Sequence, residues 1–498
     1  MPSIRKTKTA SGAVAVQVVR YTHDQMTVLK HVGSGHTQEE IAALVASARE
    51  WLSQTTKQAS LFPQREPRVL PLATVVYLGV THAFAYDTLC AVARACGFKS
   101  VQQKERLLFD LAVMRIIEPT SKLRAIALLK QYFDIHYAER TVYRQLPRLK
   151  DLKDELEAVA VRCALGTLKS DLALVLYDVT TLYFETFTAD ELRMPGFSKD
   201  NKPQQPQIVI GLLVTKQGFP LGYELFAGNT FEGKTMISVL EAFADKHHVT
   251  TPTIVADAAM LSQENIAELK KRRLSYIVGA RLANASPTLI KQIHKALKRQ
   301  DKATTRLPTK HGDLVASFSA ARYRKNKGDM ERQIERGKKL VARHEPGRRA
   351  KFVTKKGGDA YILNEALIEK NKLLLGIRGY YTNTPAKELS NNEVIARYHD
   401  LWHVEQVFRM AKSDLASRPI FHHQEDSVRA HMVVCFAALV IGKYIEIKVS
   451  LSLKKIRDLL WDVTDAQLYD KATKKTIKLR SPVNDELKKL LRKLRAPY

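Results

Sequence analysis

The sequence predicts an α/β protein: a mixed sheet with flanking helices, interrupted by a basic, partly β insertion and preceded by a mainly helical N-terminal region. Three observations predict it. Between Leu172 and Ala280 five apolar, strand-like runs occur in order, namely LALVLYDV, IVIGLLVT, FPLGYELFAG, TPTIVAD and SYIVGA, with helical spacing between the later ones. Residues 70 to about 168 carry apolar residues at helical spacing almost throughout. Charge is uneven as well: residues 291–360 hold 21 Lys and Arg against 7 Asp and Glu.

Residues 1–60 read as a small β-plus-helix unit. Ala13–Val19 and Met26–His31 are strand-like, and Thr37-Gln38-Glu39-Glu40 forms a capping box ahead of IAALVASAREWL. Gln54 to Arg68, with Pro63 and Pro67, reads as a linker. Residues 69–168 form a helical region with TLCAVARACGF, QQKERLLFDLAVMRII, SKLRAIALLKQYF and ERTVYRQLPRL. The last two suit a helix-turn-helix that reads DNA or, more commonly without a distinctive turn sequence, two members of an ordinary bundle.

Residues 169–285 hold the first part of the sheet. Three strands form an antiparallel meander. Lys234 to His247 is helical, residues 251–257 are a buried strand ending in Asp257, Gln263–Arg273 is helical, and residues 275–280 are another strand. The order β-β-β-α-β-α-β is the opening of an RNase H-like domain. Residues 286–385 are then a basic insertion subdomain, where LVASFSAARY, AKFVTK, AYIL and KLLLGIRGYYTN interleave with charge, so that Arg324 and Lys325 face a polyanion. Residues 386–450 complete the core with one regular helix from Ser390 to Leu415 and the apolar helix VRAHMVVCFAALVIGKYIEI. Residues 451–498 read as a basic helical C-terminal region.

Composition narrows the partner. Of 498 residues, 80 are Lys or Arg and 51 Asp or Glu, a formal net charge of +29, which suits nucleic acid. No lipid anchor or basic amphipathic stretch favours a membrane surface. The most apolar run, Met432 to Ile441, is too short to span a bilayer. Cys90, Cys96, Cys163 and Cys435 lack CxxC spacing and read as reduced, buried residues of a cytoplasmic protein, and the N-terminus lacks a signal peptide's apolar core.

Two carboxylates stand out. Asp178 interrupts an apolar strand, where a lone carboxylate is costly unless paired or metal-bound, and Asp257 ends another. In an RNase H-like sheet the first and fourth strands are neighbours, so the two meet and suit a hard cation. The plainer alternative is two strand-end aspartates capping turns. Tyr398, Glu405 and Lys412 are spaced seven apart, which leaves only about 20° of drift and puts them on one face of a regular helix. Chance polar spacing on an amphipathic helix is the alternative there. Trp402 suits stacking on a displaced base or, more commonly, core packing. His399 and His403 have zinc-helix spacing, but Asp400 stands where a metalloprotease has Glu, so ordinary helix histidines are the better reading.

These residues resemble insertion-sequence transposases of the DDE type, in the group whose glutamate lies in a Tyr-x2-Arg-x3-Glu-x6-Lys pattern. The chain shows Tyr398, Leu401, Glu405 and Lys412, so leucine replaces the arginine of the pattern, whose phosphate contact falls to Arg397 or Arg409. YDVTTLYFE around Asp178, GFSKDNKPQQPQIVIGLLV with Lys199, VADAAMLSQEN around Asp257, ERQIERGKKL and SRPIFHHQEDSVRAHMVVCFAAL match as well, so the resemblance covers roughly residues 100 to 445. It implies Asp178, Asp257 and Glu405 as a catalytic triad holding two Mg²⁺ or Mn²⁺ ions. It further implies cutting at terminal inverted repeats of double-stranded DNA and joining of the freed 3′-hydroxyl to target DNA, by a homodimer on DNA in a prokaryotic cytoplasm, associated with the nucleoid. Tyr398, Lys412, Arg409, Lys199, Arg324, Lys325 and Trp402 are the implied DNA contacts. The alternatives are an RNase H-like nuclease without strand transfer and a catalytically inactive DNA-binding regulator.

Overall fold

The computed structural model describes residues 2–22, 25–55, 72–198, 202, 204–231, 233, 235–247, 252–260, 262–343, 350–355 and 361–496. The chain divides into two compact units, one of Met1–Ala91, Ile126–Tyr137 and Lys455–Tyr498, the other of Val92–Ala125 and Ala138–Lys454.

In the first unit β1 (Pro2–Lys8), β2 (Val14–Thr22) and β3 (Gln25–Gly35) form an antiparallel sheet in that order. Helix α1 (Gln38–Thr55) lays Ile41, Leu44 and Ala48 on Val16 and Val18 of β2. Its start is the expected capping box: Glu40 N–H donates to Thr37 Oγ1 at 3.2 Å and Thr37 N–H to Glu40 Oε2 at 3.2 Å. Strand β1 was not anticipated, because SIRKTK has a single apolar residue, Ile4, and so no apolar face. The expected linker lies outside the described residues apart from its first two, which end α1.

Residues 75–81, expected to be helical, instead form strand β4 (Val75–Thr81). Its VVYLGVT is β-branched and aromatic, and the partner that makes it a strand lies almost 400 residues away. Helices α2 (Ala83–Cys96), α3 (Lys99–Lys104), α4 (Arg106–Ile117), α5 (Lys122–Phe133), α6 (Glu139–Gln145) and α7 (Lys153–Arg162) follow. Eleven of the twelve residues of α4 are buried, which makes it a core helix. The second half of the candidate helix-turn-helix is short: α6 gives way at Leu146-Pro147 to a 3₁₀ stretch running to Leu152.

The second unit is built on one eight-stranded sheet. It contains β5 (Leu174–Tyr183), β6 (Gln207–Thr215), β7 (Pro220–Ala227), then α8 (Thr235–His247), β8 (Thr253–Ala256), α9 (Gln263–Lys271) and β9 (Ser275–Ala280). Their spatial order is β7-β6-β5-β8-β9, with β5, β6 and β7 antiparallel and β5, β8 and β9 parallel, the arrangement of an RNase H-like sheet. β6 is buried at every position, as its unbroken apolar run requires. Buried Glu157 of α7 ties the meander down, accepting from Lys246 at 2.6 Å, Lys153 at 3.1 Å and Tyr223 N–H at 3.1 Å.

The basic insertion was expected as a subdomain of its own, and most of its strand content instead extends the central sheet. After α10 (Pro287–Ala296), β10 (Thr304–Thr309) and β11 (Gly312–Phe318) pair together. Helix α11 (Ala320–Arg343), the small β12 (Val353–Lys355) and β13 (Tyr361–Leu363) pair, and α12 (Glu365–Leu373) form a satellite around Met330, Phe352 and Ile368. Strand β14 (Ile377–Thr382) then inserts between β11 and β9, so the sheet ends in the order β9-β14-β11-β10.

The single helix expected from Ser390 to Leu415 is three pieces: α13 (Asn391–His399), α14 (Trp402–Arg409) and a π-helical turn from Met410 to Asp414. Ser390 caps α13 through a complete capping box with Glu393. At the first break Asp400 and Leu401 turn, with His403 N–H on the Asp400 carbonyl at 2.9 Å and Val404 N–H on that of Leu401 at 3.0 Å. Buried α15 (Glu425–Val449) follows. The C-terminal region, expected to be helical, holds α16 (Leu453–Trp461), a hairpin of β15 (Asp465–Asp470) and β16 (Lys475–Arg480), and α17 (Asp485–Leu494). β15 pairs with both β4 and β16 in the first unit. Among the described residues no helix is long and apolar enough to cross a membrane.

Candidate active site

The parallel register of β5 and β8 pairs Tyr177 with Ala256, so the next residues, Asp178 and Asp257, stand side by side where β8 stops. Asp178 is half-buried and Asp257 exposed. Beyond β8 the chain turns into a 3₁₀ stretch, and the Asp257 carboxylate is held locally: its Oδ1 accepts the Ala258 N–H at 2.6 Å. The same oxygen accepts the hydroxyl of Tyr398 at 3.1 Å, from the last turn of α13. Burial, with the facing Asp257 carboxylate, pushes the Tyr398 phenol well above its usual value, so it is a donor at neutral pH.

Gly279 makes that contact possible. It lies on β9, one residue past the Ala256–Val278 pair, and a Cβ there would stand 2.4 Å from the Tyr398 hydroxyl oxygen. Only a residue without a side chain lets the ring come down onto the sheet. Tyr380 of β14 supports the ring from the side, with centroids 4.7 Å apart.

Asp178, Asp257 and Glu405 all line one cleft of about 1280 Å³, together with Tyr398 and Trp402. Glu405 lies exposed in the first turn of α14. Trp402 is 48% exposed and lies against His403 with ring centroids 4.0 Å apart, so it is no core residue. Three cleft arginines were missed in the sequence: Arg281 just past β9, Arg322 on α11 and Arg378 on β14. Burial and the charge of Arg378 pull the Arg322 pKa down from its ordinary value. The cleft-facing row of α11 is Arg322, Asn326, Asp329 and Gln333, at helical spacing.

Other expected residues stand elsewhere. Arg324 and Lys325 are exposed and do not line the cleft, because they fall between positions of the cleft-facing row. Arg409 is exposed outside the cleft. Lys412 leaves the face shared by Tyr398 and Glu405, since the break at Asp400 and the π turn spoil the seven-residue spacing. It lines a small apolar pocket with Thr180, Leu182 and Ile210. Lys199 lies outside the described residues.

The donors at the cleft are carboxylate oxygens, those a hard divalent ion takes, and Asp178 beside Asp257 supplies the one or two that Mg²⁺ uses. Among the described residues no three His, Cys, Asp or Glu side chains converge tightly enough to enclose an ion by themselves. The residues thus fit an ion shared between the strand pair and a bound phosphate, with Glu405 on the same wall.

A family model described as the transposase DDE domain matches residues 170–441, more than half of the chain. The chain belongs to the DDE transposase family. It is a transposase whose matched segment runs from just before β5 into α15 and contains Asp178, Asp257 and Glu405. DDE transposases generally use divalent metal ions. Among solved structures the chain is similar to the piggyBac transposase in a synaptic complex with hairpin DNA, at 12% identity and a TM-score of 0.38, over 85% of this chain and 77% of that one. Likeness at that level adds nothing to the family assignment, which rests on the sequence model. No curated protein matches the sequence.

Proposed function

We propose that this transposase cuts double-stranded DNA at the terminal inverted repeats of an insertion sequence and joins the freed 3′-hydroxyl ends to target DNA. Asp178, Asp257 and Glu405 are the residues that hold two Mg²⁺ or Mn²⁺ ions. The observation that carries this reading is the juxtaposition of Asp178 and Asp257 on neighbouring parallel strands of a cleft that Glu405 also lines. Bound there, the ions supply charge stabilisation at the phosphate and a more acidic attacking water or hydroxyl.

The chain's own residues do the rest. Tyr398 donates to Asp257 and holds its carboxylate in one orientation. Arg322 and Arg378 grip the strand's phosphates beside the cut, taking the part that the resemblance gives to the missing arginine. Trp402 offers an exposed face to a base, and Arg324, Lys325, Arg409 and Lys199 act on outer phosphates, with affinity that falls as salt rises. For Lys412 to reach a phosphate its ammonium must extend past the apolar pocket along which its stem lies. Two element ends are handled together by a homodimer on DNA.

The test follows cleavage and joining on DNA that carries the flanking ends, with Mg²⁺ or Mn²⁺, for wild type and Asp257→Asn. Joined products from wild type alone are expected. Equal activity from both proteins would overturn the carboxylate assignment, and cutting without joining would make the protein a nuclease.

A further inference from the structure

We propose that a basic cavity between α4, the 416–424 loop and α15 is a second phosphate site, one that takes a backbone phosphate of the DNA away from the carboxylates. This rests on the reading that the chain handles DNA. The cavity measures about 630 Å³, and Arg115, Lys122, Arg418, His422, His423 and His431 contribute to its wall, while no Asp or Glu does.

Three of those groups are deeply buried: Arg115 is 6% exposed, Lys122 5% and His431 5%. A buried cation ordinarily stands beside a carboxylate. Arg115 donates instead to the carbonyls of Leu415 at 2.8 Å, Ala416 at 2.9 Å and Thr120 at 3.3 Å. The Lys122 ammonium donates to His431 Nδ1 at 3.2 Å, and His431 Nε2 donates in turn to the Ser417 carbonyl at 3.1 Å. Burial and the Arg115 charge pull Lys122 down to about 7. Burial and the charges of Lys122 and Arg115 pull His422 to about 4. In both, burial is the larger cause and the neighbouring cations add to it.

Position ties the cavity to the cleft. Phe184 bridges to Ile420, whose N–H donates to the Tyr183 carbonyl at 3.1 Å, and the Arg418 guanidinium lies 5.5 Å from the Tyr183 ring centre. Tyr183 and Asp178 share β5, roughly 17 Å apart at the usual strand rise. That is about five nucleotides of duplex measured along its axis. Phe421, at the cavity wall, is 62% exposed and offers a stacking face for a base. The volume is far more than a lone phosphate fills and suits a unit of a nucleotide chain.

Binding of a fluorescein-labelled duplex across a salt series, with full-length wild type, Lys122→Met and Arg418→Ala, tests this. Thermal unfolding of each protein with and without inorganic phosphate runs alongside and also reports folding. Lys122→Met and Arg418→Ala should each weaken duplex binding about 3- to 10-fold relative to wild type and flatten the salt slope by about one contact. Unchanged affinity and slope in both cavity variants would overturn the proposal. A phosphate-induced rise in Tm that Lys122→Met abolishes, with duplex binding unchanged in both variants, would also overturn it, and would assign the cavity to free phosphate. Failure of wild type itself to bind duplex would sink the DNA reading as a whole, a result separable from either.

Discussion

Replacing Gly279 by alanine tests whether the Tyr398–Asp257 contact matters, because the added methyl acts on that contact directly. Its Cβ would lie 2.4 Å from the Tyr398 hydroxyl oxygen, 3.0 Å from Cζ and 3.2 Å from the Ala258 Cβ. Carbon and oxygen settle at roughly 3.3 Å or more, so the hydroxyl has to lift by about 1 Å. The strand has little room to yield, since β9 is paired on both sides by β8 and β14. A lift of that size takes the 3.1 Å hydrogen bond to Asp257 past bonding distance. A hydrogen bond to a charged group contributes about 1.5–3 kcal/mol, which corresponds to roughly a 10- to 100-fold loss of cleavage if Asp257 must be held in orientation. Overpacking should cost a further 1–3 kcal/mol or so of folding stability. Metal-dependent cleavage and urea unfolding measure the two effects. Tyr398→Phe removes the same bond without the clash, so it should lose activity to a like extent and little stability. Full cleavage by both variants would refute the argument that Tyr398 orients Asp257.

Further outcomes follow from other groups. Lys122, faced by Arg115 from α4, His422 from the loop, and His431 and Cys435 from α15, titrates near 7 when folded against 10.5 ordinarily. Between those values the unfolded chain binds the extra proton, so wild-type stability should rise with pH above 7, and below 7 the cost of burying the charge is present in full, at most about 5 kcal/mol. Lys122→Met should therefore unfold at higher urea than wild type at pH 6, with a gap that narrows toward pH 9; a constant gap would refute the assignment. Glu157→Ala leaves Lys153 to Glu224, Lys246 to Asp154 and the buried Tyr223 N–H without its acceptor, and should lower stability by about 1–3 kcal/mol in equilibrium unfolding; no measurable loss would show that the remaining partners compensate. Arg322→Ala with Arg378→Ala should reduce the salt slope of DNA binding by about two contacts, and an unchanged slope would remove both arginines from the DNA path.

What local sequence determines here is what each segment is. LALVLYDV, IVIGLLVT and TPTIVAD are largely apolar runs, the first interrupted by Asp178 and the last ended by Asp257, and only strands covered on both faces bury such runs, so the β-β-β-α-β-α-β order and the meeting of Asp178 with Asp257 were legible in the sequence. The Thr37–Glu40 capping box was legible for the same reason, since its partners are three residues apart. Tertiary structure decided what depends on partners distant in sequence. VVYLGVT becomes a strand because DAQLYD, almost 400 residues later, pairs with it. Arg378 reaches the cleft because β14 slots in beside β9, and Arg322 because α11 turns that face toward it. The seven-residue spacing of Tyr398, Glu405 and Lys412 promised one helix face, yet no local residue announces the breaks at Asp400 and Met410. Periodicity reports a face only while the helix runs straight, and whether it does is settled by what the helix packs against.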